Sequence, residues 1–239
     1  FKTTHKIGKK GDLSFIGLGA IDDFELNLER ADDEVSRYQI GFLPYFKQWN
    51  YTFGGRYRYF TENGTLLVVA SRNMLSNQIF KFQGNQNDVP EAKLFDLTSR
   101  EAENKVRVEY TFRKAGYKFN FGTNYEFARY TNKTFRRLES EIPIPPFEYD
   151  ALLKMQKYGF FAQVSKRYFD DKLSVSAGLR TDANNYSKLM NNPLKQLSPR
   201  LSLSYNINDS WSVSANTGLY YQLPVYTLLG YKNQEGEFQ

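Results

Sequence analysis

The sequence predicts an all-β protein, an antiparallel up-and-down transmembrane β-barrel wall of about ten strands cut from a larger barrel. Three observations predict it. Between Lys172 and Gln222, Leu173, Val175, Ala177 and Leu179 alternate with Ser174, Ser176, Gly178 and Arg180, and two further runs keep the same rhythm. Strand side chains point to opposite faces with period two, so each run has an apolar face and a wet one. The wet face is made of small hydroxyls, Gly, Asn and Arg, as a water-lined wall would be. Finally, the connections alternate between tight and long, which implies short periplasmic turns on one rim and long extracellular loops on the other.

Taken in order, the first tight turn is Lys9-Lys10-Gly11-Asp12, followed by Leu13 and Phe15 with Ile16 and Leu18 on the opposite side. A long connection is expected from Asp22 to Val35. Trp49, Tyr51, Phe53, Tyr57 and Tyr59 then oppose Asn50, Thr52, Gly54, Arg56 and Arg58. Thr61-Glu62-Asn63-Gly64 turns the chain into Leu66-Leu67-Val68-Val69-Ala70, apolar on both sides, so part of its inner side is expected to pack against something. After a connection read as Arg72 to Asn104, Val106, Val108, Tyr110 and Phe112 oppose Lys105, Arg107, Glu109 and Thr111.

The turn Arg113-Lys114-Ala115-Gly116 leads to Tyr117, Phe119, Phe121, Tyr125 and Phe127, which oppose Lys118, Asn120, Gly122, Asn124 and Glu126. A third connection, Arg129 to Asp150, contains Ile142-Pro143-Ile144-Pro145-Pro146-Phe147, extended and stiffened by its prolines. Tyr158, Phe160, Ala162 and Val164 follow, opposite Gly159, Phe161, Gln163 and Ser165. Phe169-Asp170-Asp171-Lys172 and Asn208-Asp209-Ser210 are the last tight turns, with a connection from Asp182 to Ser198 between them. The final strand is read from Trp211 to Tyr221, with a tail from Leu223. Each tight turn combines charge with Gly, Asn or Asp, the chemistry of a short hairpin. Rings gather beside these turns, as in the aromatic girdle of a membrane barrel.

Composition narrows the class. With 239 residues the chain can bury a sizeable core, and its 20 Phe and 18 Tyr exceed what an average globular protein needs. A mean hydropathy of −0.61 and no long apolar run exclude a transmembrane helix but not a barrel, whose strands turn only half their residues to lipid. Zero Cys removes disulfides and thiolate metal sites. The net charge of +6 raises nucleic acid, yet basic residues are scattered among 26 acidic ones with no run beyond Lys9-Lys10 or Arg136-Arg137, so no nucleic-acid partner is expected. The N-terminus is neither a signal nor a transit peptide, and the polar Gly236-Glu237-Phe238-Gln239 does not read as a terminal strand. Both ends therefore read as cuts.

The segment from GLRTDANN through SPRLSLSY, a short turn, a Trp-initiated strand and YYQLP resembles the barrel of TonB-dependent outer-membrane receptors, particularly those of the Bacteroidota. GDLSFIGLGAIDDFELN is similar to a barrel hairpin of the same family. The resemblance implies a barrel of about 22 strands with an N-terminal plug. This chain departs from it: residues 1–239 read as one partial barrel domain with the plug and TonB box absent. The implied function is uptake of a nutrient (siderophore, vitamin, peptide or glycan) across the Gram-negative outer membrane, energised through TonB. The implied partners are outer-membrane lipid, the protein's own plug, the TonB energy complex, the nutrient and a surface lipoprotein.

Chemistry of other kinds finds no footing. His5 is the single histidine, so a Ser-His-Asp triad or a His-based metal site has one possible member, near a chain end, and a surface or strand-edge residue is the expected reading. Asp22-Asp23, Asp32-Asp33-Glu34 and Asp170-Asp171 lack calcium-loop spacing, and Gly17-Leu18-Gly19 lacks the third glycine of a dinucleotide loop. No catalytic residue, metal or cofactor is expected, and the chain is read as a non-enzyme. The candidate working residues face the lumen: Arg56, Arg58, Asn124, Glu126, Arg180, Arg200 and Asn216. Arginines there could hold a plug carboxylate or an anionic substrate by bidentate contacts, or pair among themselves. A passive porin-like barrel, a soluble ligand-binding β-barrel or sandwich, and a surface adhesin are the competing functions.

Overall fold

The structure, a computed structural model, describes residues 1–138, 140, 142 and 144–231. Ten strands form one antiparallel sheet in the order of the chain. They are β1 (Lys2–Ile7), β2 (Gly11–Phe24), β3 (Tyr45–Phe60), β4 (Gly64–Phe82), β5 (Lys93–Lys114), β6 (Tyr117–Arg136), β7 (Phe147–Tyr168), β8 (Leu173–Asn184), β9 (Leu197–Asn206) and β10 (Ser212–Gly218). All five expected tight turns join successive strands on one rim. The sheet is open, with β1 and β10 as its edges.

The register brings the apolar positions into one face. Tyr57 pairs with Val68, Val68 with Val108, Tyr110 with Phe121, Phe121 with Ala162, and Ala162 with Leu179. A slip of one residue would turn every side chain to the other face, so the two-sided pattern itself holds the register. This apolar face is uncovered: Phe53, Phe121, Phe160 and Val213 are all exposed, as a surface meant for lipid would be. On β6 it runs from Phe119 to Phe127 and stops at Arg129, matching the roughly 9–11 residues in which a tilted strand crosses a bilayer.

Above that line the strands continue, and here the sequence expectation needs correction. The connections read as Arg72 to Asn104 and Arg129 to Asp150 are mostly strand: β4 and β5 run on to Phe82 and back from Lys93, and β6 and β7 to Arg136 and from Phe147. Their backbone ladders run on across β4 to β7, with a register shift between Lys81 and Phe82 on β4. The apolar signal of that face ends there: Arg129, Thr131 and Lys133 follow Phe127 on β6. On β6 and β7 it changes sides, so that Ala128, Tyr130, Ala151, Leu153 and Met155 are buried on the otherwise polar face. The Pro143 portion of the proline segment lies outside the described residues, as does Gly236–Gln239.

Two further corrections concern ends. The first long connection does not close at Val35 but carries the helix α1 (Glu34–Phe42) before β3. Asp33 caps it, accepting from the Ser36 backbone N–H at 2.8 Å and from Ser36 Oγ at 2.7 Å. Pro44 ends it by disfavouring helical geometry at Leu43. The Ser36 donors hold the Asp33 carboxyl below the usual carboxylate range. A depressed folded value means the cap contributes fully above the ordinary Asp pKa and is lost as pH falls through the lowered one. Asp33→Ala is therefore expected to speed amide exchange across α1 at neutral pH, with the difference from wild type closing in acid.

The last strand does not reach Tyr221. β10 stops at Gly218, opposite Arg200, because the next residue of β9 is Pro199, which has no N–H to offer the ladder. Leu219 N–H donates to the Pro199 carbonyl at 3.0 Å and Ser198 Oγ donates to the Leu219 carbonyl. From there the chain crosses the polar face as a strap containing the short helix α2 (Tyr226–Leu229).

The tight turn between β5 and β6 carries a backbone requirement. Ala115 and Gly116 have φ of +52° and +76°. Such values cost an L-residue about 1 kcal/mol or more. Gly116→Ala is expected to lose about that much stability and Ala115→Gly to lose none, read from urea midpoints of the full-length protein in detergent.

Candidate functional site on the polar face

Three groups of charged side chains stand on the polar face. The first lies at the tight-turn rim. Arg58 donates to Asp12 Oδ2 through Nε at 2.9 Å and Nη2 at 2.7 Å. Arg56 Nη2 reaches Asp12 Oδ1 at 3.1 Å and Ser14 Oγ at 2.9 Å. Arg56 and Arg58 are alternate residues of β3, and Asp12 is opposite Arg58 on β2, so the pleat delivers all three to one side.

The second group is a row across β5, β6 and β7, where Lys105 pairs with Glu126 and Glu126 with Lys157. Lys105 Nζ is 2.6 Å from Glu103 and 3.4 Å from Glu126, while Lys157 Nζ contacts Glu126 and lies 3.8 Å from Glu103. Tyr226 of the strap enters this cluster. Its hydroxyl donates to Glu103 Oε1 at 2.6 Å and accepts from Lys157 Nζ at 2.6 Å. Burial, with Glu103 and Glu126 beside it, pushes the Tyr226 phenol far up, so it stays a donor. Around it Tyr226 and Leu229 pack on Ala128, Tyr130, Leu153 and Met155. Tyr149 and Tyr186 donate to the carbonyls of Gly230 and Leu229 at 2.9 and 3.0 Å, fixing the far end of the strap.

The third group lines a cleft of about 460 Å³ bounded by Arg107, Arg180, Arg200, Phe161, Asn216 and Tyr220, among others. Arg180 Nη2 donates to Asp182 Oδ1 at 2.7 Å and to Asn124 Oδ1 at 3.4 Å. Arg107 Nη2 donates to Glu109 at 2.8 Å and its guanidinium lies 5.1 Å from the Phe161 ring centroid. Arg200 lies 4.7 Å over the Tyr220 ring and has Ser198 Oγ at 3.4 Å. Phe161 can lie flat here because Gly122 is opposite it: a Cβ at Gly122 would stand 2.7 Å from the ring.

The candidate residues thus divide among the three groups. Arg180, Arg200 and Asn216 share the cleft, with Asn124 at its edge, whereas Glu126 belongs to the ion cluster and Arg56 and Arg58 to the rim. Candidate selection from sequence passed over Asp12, Glu103, Lys105, Lys157, Asp182 and Tyr226. One available signal was the alternate-residue charge run Glu101, Glu103, Lys105, Arg107 and Glu109 on β5. A larger cleft, of about 1110 Å³, opens on the other face of the sheet, above the apolar band.

A family model described as TonB dependent receptor-like, beta-barrel matches residues 8–236. The chain belongs to this family. Solved structures similar to this TonB-dependent receptor-like barrel include a mutant of the ferric enterobactin receptor PfeA from Pseudomonas aeruginosa. That match has 14% identity and a TM-score of 0.64, and covers 95% of this chain and 33% of the other. The FpvAI–pyocin S2 complex matches with 15% identity and a TM-score of 0.63 over 89% and 33%. The ferric citrate transporter FecA in the unliganded form matches with 12% identity and a TM-score of 0.59 over 91% and 34%. At such identities the likeness is one of fold. The barrel section spans about a third of the length of these three chains. None of the curated proteins matches it in sequence.

Proposed function

We propose that this chain forms wall strands of an outer-membrane importer that takes up a nutrient with energy delivered through TonB. The observation that carries the reading is the two-sidedness of the sheet. One face offers a mostly apolar band one bilayer deep, and the other holds charged side chains at the same depth, which a dry core would not tolerate. On this reading the polar face lines the lumen, the tight turns face the periplasm and the α1 connection faces outward. Ile16 and Leu18 are exposed on the polar face, opposite Gly54 and Thr52 of β3, which suits a plug domain as their cover. The arginine cleft suits a carboxylate of that plug or an anionic part of the cargo.

Ferric siderophores are the cargo named for the PfeA and FyuA structures, and ferric citrate and copper for two others. Siderophore, vitamin, peptide and glycan all remain candidates for this importer. The Bacteroidota character rests on the SPRLSLSY to YYQLP succession, and a surface lipoprotein is a further candidate partner at the loop rim. No catalytic role is assigned.

The test uses the full-length protein in its own cells with a membrane-impermeant maleimide. Cys placed at Tyr38, in α1, is expected to label on intact cells. Cys placed at Glu62, in a tight turn, is expected to label only after lysis. Recovery of the protein in the soluble fraction, or equal labelling of both sites, would overturn the importer. A passive porin is separated from it by the absence of a plug in the full-length gene.

A further inference from the structure

We propose that the pocket filled by Tyr226 is a binding site for an uncomplexed phenol of the cargo, with the strap as its displaceable occupant. The cargo as the source of that phenol rests on the importer reading above, whereas the pocket rests on its own geometry. The Tyr226 hydroxyl donates to Glu103 Oε1 at 2.6 Å, with Glu126 Oε1 at 3.3 Å, and accepts from Lys157 Nζ at 2.6 Å. Lys157 Nζ also lies 5.0 Å from the centroid of its ring, and Tyr130 stacks on that ring at 6.3 Å. Leu153 and Met155 complete the apolar side, and the whole residue is buried. The walls of this pocket belong to β5, β6 and β7, while its occupant comes from a segment outside the sheet.

The occupant is the part that can leave. Val225 and Leu228, on either side of Tyr226, are exposed, and α2 is a single turn. Segments with few buried side chains open at a fraction of the free energy of global unfolding. Closure also depends on a close approach at Gly230, where a Cβ would stand 2.8 Å from the Tyr130 ring. Tethered to the wall, Tyr226 competes at an effective concentration on the order of millimolar, so a free phenol binds weakly until the strap is loosened.

The open pocket discriminates in two directions. Glu103 offers an acceptor and Lys157 a donor to one hydroxyl, above a floor the size of one ring. A ring without the hydroxyl leaves both groups unanswered, which a site built around buried polar groups rejects strongly. A catecholate already bonded to iron fails for the opposite reason. Its oxygens carry no proton and would bring negative charge against Glu103 and Glu126. The chemistry selects a phenol that still holds its proton, such as a tyrosyl side chain.

Equilibrium dialysis of the full-length protein in mild detergent against N-acetyl-tyrosinamide and N-acetyl-phenylalaninamide tests the site. Tyr226→Gly, which vacates the pocket, is expected to bind the tyrosyl amide at least tenfold more tightly than the wild type does. It is expected to prefer that amide to the phenylalanyl one by at least tenfold. Gly230→Val, which lifts the strap and leaves every pocket side chain in place, is expected to share both gains. Equal binding of the two amides, or a gain missing from a variant whose heat-modifiable migration shows a folded barrel, overturns the site. In the wild type, saturating tyrosyl amide is expected to speed amide exchange at Leu229 and Gly230, which donate to the Val225 and Tyr226 carbonyls, at least tenfold. Exchange unchanged by the bound amide overturns the displacement. An iron(III) catecholate that releases the strap equally well overturns the choice of phenol. Recovery in the soluble fraction sinks the importer, whereas a lost hydroxyl preference in a correctly placed barrel sinks only this site.

Discussion

Phe121→Arg is expected to remove most of the folded full-length protein from the membrane, while Asn120→Glu, one residue away, leaves its amount unchanged. Phe121 stands on the apolar face, exposed, with its ring 5.5 Å from Phe112 and a few residues above the tight turn at Gly116. That places it near the middle of the span. A cation there costs about 2–4 kcal/mol in a membrane barrel, a large part of a marginal stability. Asn120 points to the polar face, where it accepts from Thr111 Oγ1 at 3.1 Å and borders the arginine cleft. An added carboxylate gains cationic neighbours there. Heat-modifiable migration in outer-membrane extracts measures both. Equal loss in the two variants would mean that the faces have been assigned wrongly.

Lys157→Met is expected to be the most damaging single change within the ion cluster. Lys157 stands between Glu103 and Glu126 and donates to the Tyr226 hydroxyl, so its removal leaves Lys105 alone to balance two carboxylates. Breaking a buried pair by removing one partner costs about 3–5 kcal/mol, and surface pairs cost under about 1. These side chains are 15–38% exposed, so an intermediate loss of about 1–3 kcal/mol follows. Adding Glu126→Gln removes the surplus charge and is expected to return part of the loss. Urea midpoints of the four proteins of this double-mutant cycle measure it, and strict additivity would show that the two side chains do not interact.

Much of the architecture was legible because barrel strands in lipid must keep their apolar side constant. Ten strands, five tight turns and the two faces all follow from that constraint. It lapses above Arg129, and with it went the outer halves of β4 to β7, which read as loop because both of their sides carry polar residues. The helix at Glu34 left only a small mark, an aspartate three residues before a serine. The working residues were harder. Arg180 and Arg200 share a face by periodicity, but the carboxylates that occupy such arginines sit on other strands. Asp12 finds Arg58 across a sequence separation of 46, and only the register brings them together. Tyr226 was out of reach, since nothing in a local pattern says that a chain leaving β10 will fold back across the sheet.

The change of sides at Phe127 and Ala128 makes the wall two materials joined end to end. The lower half owes its order to hydrocarbon, and the upper half to a small water-shielded kernel around Tyr130 and Met155. Denaturant should therefore melt them at different concentrations, the crown first, with the transmembrane ring persisting until detergent or lipid is stripped away.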